Sequence, residues 1–419
     1  MANSILTIDM ITREAVRLWK NTNAFMQHVD MQFDDSYAKT GAKIGDTLRI
    51  RLPNDYIVRT GPAVNVQGTA EQNTTLVLAT MKGVDVSFTT QERTMKLDDY
   101  SRRVLAPMVN NLAGAVAADI MGGIDSQGGA CNFVANYDTS NNILPPVAET
   151  YLTAGAYLDL NSAPTEDRRA ITDPVTMARS VASFSGLLNP QAEISEQYRS
   201  GMLRTAWGLD YYKDQTVLKH TCGTLSSGGT VNGATQTGST ITVNATTGTI
   251  NIGDIITIDG VNAVNRITKQ STGQLRQFVA TAAAISGATS IAIYPALIPA
   301  DLLGNPVQYQ TVDVSPANGA QVRMANAAGQ PNAPSGIAAV TATYRKNFLF
   351  SPDGVSMAMA DLELPKGVHE AARESFDGVS MRMITDYVVA TDQMITRLDV
   401  LYGYRYLRPE WLVVVADAV

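Results

Sequence analysis

VDVSFTTQERTMKLDDYSRRVLAPMVNNLA, residues Val84–Ala113, carries the change of period on which the fold turns. Its opening is strand-like, the return arm of a longer β-segment. KLDDYSRRV (Lys96–Val104) then reads as a short helix, with Asp98 and Asp99 at its start and Arg102 and Arg103 near its end. The helix dipole favours that charge order. Pro107 opens a second helix in its first turn, where a missing N–H costs nothing. Val109, Leu112, Val116 and Ile120 make one stripe among Ala113, Ala115, Ala117 and Ala118, and Gly122-Gly123 is expected to end the helix. Pro107 to Met121 would span roughly 22 Å, and so many small residues imply close packing.

Upstream, GDTLRIRLP (Gly45–Pro53) alternates Thr47, Arg49 and Arg51 against Leu48, Ile50 and Leu52, a half-buried strand stopped by proline. A polar stretch, Thr60 to Thr74, separates it from TLVLATM and GVDVSFTTQE. Together these form a two-armed β-excursion that is marginal alone and must lie on something. Before it, Ile8 to Phe25 has the spacing of an amphipathic helix, with Asp9 or Thr12 as cap and Ile11, Ala15, Leu18, Trp19 and Phe25 on its apolar side. Two readings of that stripe stay open: docking on its own domain, or packing on a neighbouring subunit.

Downstream, Leu152 to Asn161 and Asp173 to Leu188 are expected helices, the second capped by Asp173 ahead of Pro174. Composition then shifts. Gly223 to Arg345 holds only four acids (Asp254, Asp259, Asp301, Asp313) and five bases (Arg266, Lys269, Arg276, Arg323, Arg345). Seven alternating runs recur there between Gly- or Pro-bearing turns: TITVNA, DIITIDGV, NRITKQ, RQFVATA, TSIAIYP, VQYQTVDV and QVRMAN. Such spacing predicts a small antiparallel barrel or sandwich, inserted as its own domain. Strand-like segments resume at Asn347–Met359, Val379–Tyr387, Gln393–Tyr404 and Trp411–Val415, so the flanks of the insertion belong to one parent domain.

The 419 residues are 45% hydrophobic and only 17% charged, with a net charge of −7. The length exceeds one core, and the acidic balance argues against tight nucleic-acid binding. Cys131 and Cys222 provide no disulfide framework and no metal knuckle. Neither a signal peptide nor an apolar stretch long enough for a membrane is read, so a soluble, cytoplasmic product without membrane contact is expected. His28, His220 and His369 stand alone in the sequence. The acidic pairs Asp34-Asp35, Asp98-Asp99 and Glu166-Asp167 read as solvated or capping, and Cys131 as a buried thiol. No catalytic, cofactor or metal site is expected, and no enzyme.

The order of parts resembles the major capsid proteins of tailed bacteriophages with the HK97-type fold, in the P22-like branch that carries an insertion domain. GDTLRIRLP looks like the first strand of that family's extended loop, and Val84–Ala113 like its return strand and spine helix. GDIITIDGVNAVNRITKQ (Gly253–Gln270) is similar to the insertion barrel, and SMRMITDYVVATDQMITRLDVLYGYRYLRPEWLVVV (Ser380–Val415) to the closing strands. The resemblance implies an α+β fold with an N-terminal arm (1–34), an extended β-loop (35–95), a spine helix and peripheral domain (96–144), and the first part of an axial domain (145–222). An inserted all-β barrel (223–345) and closing axial and peripheral strands (346–419) complete it. It also implies self-assembly into an icosahedral shell around double-stranded DNA. The packaged DNA would be held by loose contacts, and assembly would occur in the host cytoplasm. A portal is implied too, and a separate scaffolding protein, since no long charged leader precedes the arm. The excursion tip, Ala63 to Asn73, has no lysine, which argues against a crosslink formed there. Leu18, Trp19, Phe25, Arg49, Arg51, Arg59, Arg102 and Arg103 are the expected assembly-interface residues. The alternatives are an encapsulin-like compartment shell and a glycan-binding or adhesin β-module.

Overall fold

A computed structural model of the chain describes residues 8–31, 47–52, 54–58, 61–62, 66, 68, 73–89, 101–129, 131–138, 142–184, 203–225, 227–302, 304–324, 343–376, 378–389 and 393–419. Residues 96–100 of the expected short helix Lys96–Val104, the acidic pairs Asp34-Asp35 and Asp98-Asp99, and residues 185–188 of the expected helix from Asp173 lie outside them. The chain divides into two units. One comprises Met1–Arg51, Asn73–Ile120 and Val355–Arg405; the other comprises Leu52–Gln72, Met121–Gly354 and Tyr406–Val419.

The first unit is built on a five-stranded antiparallel sheet. Its order is Val355–Ala360, Gln393–Tyr406, Val379–Val388, Glu370–Phe376, with Thr80–Thr89 also paired to Gln393–Tyr406. The strand Glu370–Phe376 was not legible in the sequence, where Glu370, Arg373 and Glu374 interrupt any apolar alternation. Ten residues of Thr80–Thr89 run against Gln393–Tyr402 in unbroken register. In the row Gly83–Asp399–Arg382, the Asp399 carboxylate is fully buried and accepts bonds from Arg382 Nη2 at 2.7 Å and Arg397 Nε at 2.6 Å. A buried carboxylate must be paired in this way or its desolvation is uncompensated. Gly83 is what makes room: a Cβ there would overlap Asp399 Oδ1 and lie 2.9 Å from the Leu398 carbonyl oxygen.

Helix α1 (Ile8–Thr22) buries Thr12, Ala15, Val16 and Trp19, positions that recur on one face at three- and four-residue steps, and packs on the strands Glu370–Phe376 and Val379–Val388. Arg13 reaches Glu374 at 3.1 Å. Thr12 is no cap: its hydroxyl donates to the Ile8 carbonyl inside the helix. The excursion's arms, Thr47–Arg51 and Asn73–Val77, pair as a two-stranded ribbon in which Ile50 and Leu76 are buried and Arg49, Arg51 and Val77 are exposed. The alternation expected of GDTLRIRLP is therefore present.

Helix α2 (Ala106–Ser126) follows a π-helical turn, Ser101–Leu105. It runs past Gly122-Gly123, so those glycines do not end it. Their absent side chains bring the helix close to its surroundings: a Cβ on Gly122 would touch Leu218 at 3.5 Å. By length and composition Arg103–Ser126 could cross a membrane, against the expectation that no stretch would qualify. Its contacts are those of a core helix. Asp119 accepts from Lys82 at 2.6 Å and from Tyr402 at 2.5 Å, and Asp125 pairs with the buried Lys346.

The second unit holds a seven-stranded mixed sheet. Its order is Phe133–Val134, Leu412–Ala418, Thr343–Phe350, Arg169–Thr172, Leu209–Lys213, Thr205–Ala206, with Lys219–Thr221 on Thr343–Phe350. Helices α3 (Ala148–Leu160) and α4 (Pro174–Phe184) belong to its core, where Tyr151 meets Phe184 and Tyr211 edge-on. Asp173 caps α4 as expected, accepting from the Val175 N–H at 2.9 Å.

A five-stranded antiparallel sheet in the same unit runs Gly238–Thr242, Ser290–Leu297, Ser271–Ala280, Ile255–Val264, Val322–Met324. Its two edges are joined through one segment, since Thr230 bridges Gln321 and Val231 bridges Val243. The sheet thus closes on itself around Ile241, Ile258, Phe278, Ile291, Ile293 and Val322. Five of the seven expected strands are present. NRITKQ is a turn, because the Asn265 side chain accepts the Ile267 and Thr268 N–H groups and Lys269 takes φ +56°. VQYQTVDV contributes only the isolated bridge Val312–Ala263.

Gly83→Ala is expected to lower the stability of the chain by about 1–3 kcal/mol, the usual cost of forcing atoms into a filled site. A urea midpoint unchanged from wild type would show that the Asp399 row has slack.

Candidate functional site

No catalytic constellation is assembled among the described residues. Glu166 and Asp167 are exposed, and His369 is exposed on its own. Cys131 is fully buried, its Sγ near the Pro409 carbonyl, and burial pushes its thiol up to about 12. A thiol so protonated is inert. It should react with a disulfide reagent only after denaturant is added; labelling at native rates comparable to a free thiol would contradict the burial.

One cluster corrects the expectation of solitary histidines. His220, Cys222 and Asp254, all buried, bring their ligand atoms within 4.8 Å of one another. The sequence hides this because Asp254 is 32 residues beyond Cys222. These donor types suit zinc, but Asp254 is already committed. It bonds His220 Nε2 at 2.8 Å, the Gly223 N–H at 2.9 Å and the Asn251 N–H at 2.7 Å. As it stands, the cluster pins the strand Lys219–Thr221 to the entry of Ile255–Val264.

Of the expected interface residues, Trp19 (1% exposed) and Phe25 (3%) are buried within the first unit, and Leu18 is half-buried. In this conformation they hold α1 to its own sheet, the first of the two readings left open by the sequence. Arg49 and Arg51 are exposed on the two-stranded ribbon and Arg103 on the turn leading into α2. Arg59 and the Arg102 side chain lie outside the described positions.

What the sequence reading passed over is a set of exposed apolar side chains in connections between strands, three of them (Ile267, Leu302 and Val389) in turns. Val58 is 88% exposed and Val66 86%, both between the arms of the excursion. Ile267 (74%), Ile285 (77%) and Leu302 (98%) occupy the connections around the closed sheet, and Val389 (82%) the turn before Gln393–Tyr406. Turn tips ordinarily carry Gly, Asn, Asp or Ser. The available signal was an aliphatic residue set directly among such residues, as in Asn265–Thr268 and Asp301–Gly304. Scattered apolar residues are normal on a surface, and these are the most exposed large aliphatics of the described residues.

Trp19→Ala is expected to destabilise the isolated chain by about 3–5 kcal/mol, the range for truncating a large buried aromatic. A helix that belonged only on a neighbour would leave the monomer's unfolding curve unmoved.

Comparison with known proteins follows from this geometry. Solved capsid structures resemble the chain at low identity. A structure from Mycobacterium phage Che8 matches with a TM-score of 0.45 and 10% identity, over 94% of this chain and 90% of that one. The capsid of Ralstonia phage GP4 gives 0.42 and 6%, over 100% and 94%. The mature capsid of bacteriophage PhiM1 gives 0.39 and 9%, over 93% and 89%. At these values the likenesses carry no argument by themselves. No curated protein matches the chain. The sequence does match the family described as P22 coat protein, gene protein 5, over residues 20–415, and on that match the chain belongs to the P22 coat protein family, as an α+β major capsid protein that forms the phage shell.

Proposed function

We propose that this coat protein closes an icosahedral shell around the double-stranded DNA of a tailed phage, in the host cytoplasm, with a separate scaffolding protein and a portal as partners and no chemical step of its own. The observation that carries the reading is the family match across residues 20–415. In this reading residues 1–34 are the arm, 35–95 the extended loop, 96–144 the spine helix and peripheral domain, 145–222 and 346–419 the axial and closing parts, and 223–345 the inserted barrel. The net charge of −7 suits a wall that must not grip its packaged DNA.

The architecture supports this. A shell needs many contacts, each weak enough to break when misplaced. A contact of about −4 kcal/mol has millimolar affinity, yet several per subunit hold a closed particle together. The ribbon Thr47–Arg51 with Asn73–Val77 is too small to be stable unsupported. Between its arms in the sequence, Val58 and Val66 are exposed, and such a ribbon gains stability when a neighbour completes it.

Negative-stain electron microscopy of the purified protein, with and without the neighbouring reading frames co-expressed, tests the reading. Shells, tubes or spirals are expected, with closed particles only when the scaffold is present. A uniform small particle under every condition would overturn it. Val58→Asp and Leu302→Asp should leave monomer stability within about 0.5 kcal/mol, as surface changes do, while reducing the yield of particles. Full yield from both variants would remove these exposed aliphatics from the contact surface.

A further inference from the structure

Within the second unit the closed sheet is nearly neutral, and its few charges are almost all engaged inside the chain. Asp259 pairs with Arg323 at 2.6 Å, Arg266 and Lys269 with Asp55 at 2.8 and 3.6 Å, and Arg345 with Asp173 and Asp417 at 3.3 and 3.6 Å. Asp313 accepts from Asn262 and Ser271, Asp301 from Asn305, and Asp254 from His220 and two backbone amides. Arg276 is the exception. Its side chain is only 8% exposed, its Nε is buried without a hydrogen-bond partner, and among the described residues it forms no ion pair. A buried guanidinium left unpaired is costly, so such a group calls for an unseen counterpart.

Arg276 lines a cavity of about 190 Å³ together with Arg266, Arg408, Asp55, Glu410 and Gln310. Both carboxylates already have donors. Asp55 is held by Arg266 and Lys269, and Glu410 accepts from Tyr294 Oη at 3.0 Å. Three guanidiniums thus share a space with two engaged carboxylates. Burial, and after it the nearby Arg266, lower the Arg408 pKa below the ordinary arginine value, against the opposing pull of Glu410 and Asp55. A second orphan lines the same cavity: Gln310 Oε1 is buried and accepts nothing, while its Nε2 donates to the Val312 carbonyl at 3.0 Å. Two buried polar atoms of the lining residues, Arg276 Nε and Gln310 Oε1, are thus left without a partner among the described residues.

We propose that this cavity is a binding site for a small oxyanion of the monohydrogen phosphate type, with Arg276 as its principal ligand, Arg408 and Arg266 as flanking charges, and Gln310 Oε1 receiving the P–OH proton. Arginine is suited to this role because its planar fork matches two phosphate oxygens at once. A cavity of this size admits several waters, each with a share of about 30 Å³ in the liquid, and so has room for one phosphate. Sulfate lacks the proton that Gln310 would accept, and chloride lacks the geometry.

The test is calorimetric titration of inorganic phosphate into the purified chain in a chloride buffer of fixed ionic strength, with sulfate and additional chloride as parallel titrants. One site per chain is expected for phosphate, with sulfate weaker and chloride silent. Arg276→Gln should weaken phosphate on the order of ten-fold, and phosphate should raise the wild-type melting temperature but not the variant's. If Arg276→Gln does not fold, Arg408→Gln is measured instead and should also bind more weakly. Absence of a phosphate response in the wild type, equal responses to phosphate and sulfate, or undiminished binding by the folded variant would each overturn the proposal.

Discussion

The pairing of Thr80–Thr89 with Gln393–Tyr406 joins parts of the chain separated by some three hundred residues, and the first unit depends on its register. Register along a strand is otherwise only weakly determined when one face is solvated. Here Asp399 determines it. Its carboxylate is fully buried, so it has to meet Arg382 on one side and Arg397 along its own strand, and it tolerates no side chain at the facing position. A slip of one residue would replace Gly83 by Lys82 or Val84 and drive a side chain into the carboxylate. The buried charge contributes little net stability; its effect is to penalise every other alignment.

How much of this was legible follows from how local each signal is. The strand GDTLRIRLP, the cap Asp173 and the helix from Pro107 rest on residues within a few positions of one another, and each is found where its pattern puts it. The errors came from features whose cause is distant. Gly122-Gly123 reads as a stop by local chemistry, but the helix continues to Ser126, whose neighbour Asp125 is secured by Lys346. NRITKQ alternates like a strand, yet the Asn265 side chain bends it into a turn. The exposed strand Glu370–Phe376 carries charge because Glu374 answers Arg13 on a helix more than three hundred residues earlier.

The candidate contact surface was read less well than the fold, for a related reason. Sequence reasoning favoured Trp19 and Phe25 because large aromatics on an amphipathic helix suggest an adhesive stripe, but the chain's own sheet consumes that stripe. Amphipathicity reports that a face is covered without saying by what. The solvent-facing aliphatics between strands are individually unremarkable, and only coordinates separate them from residues folded back into a loop.

The charge arrangement of the closed sheet bears on the same question. Eight of the nine charged side chains between Gly223 and Arg345 have polar or charged partners within the chain, so the described surface of the closed sheet offers a neighbour little beyond exposed aliphatics and uncharged Thr, Asn and Gly groups. Contacts of that kind do not depend on long-range attraction, which ordinary salt screens beyond about 8–10 Å. In the first unit Arg49, Arg51 and Arg103 are exposed, Arg51 and Arg103 with partners of their own. If both regions make contacts in the shell, those of the closed sheet would persist at salt concentrations that loosen those of the ribbon. A shell built this way would separate two functions, with charge steering the encounter of subunits and neutral groups setting how firmly they remain once seated.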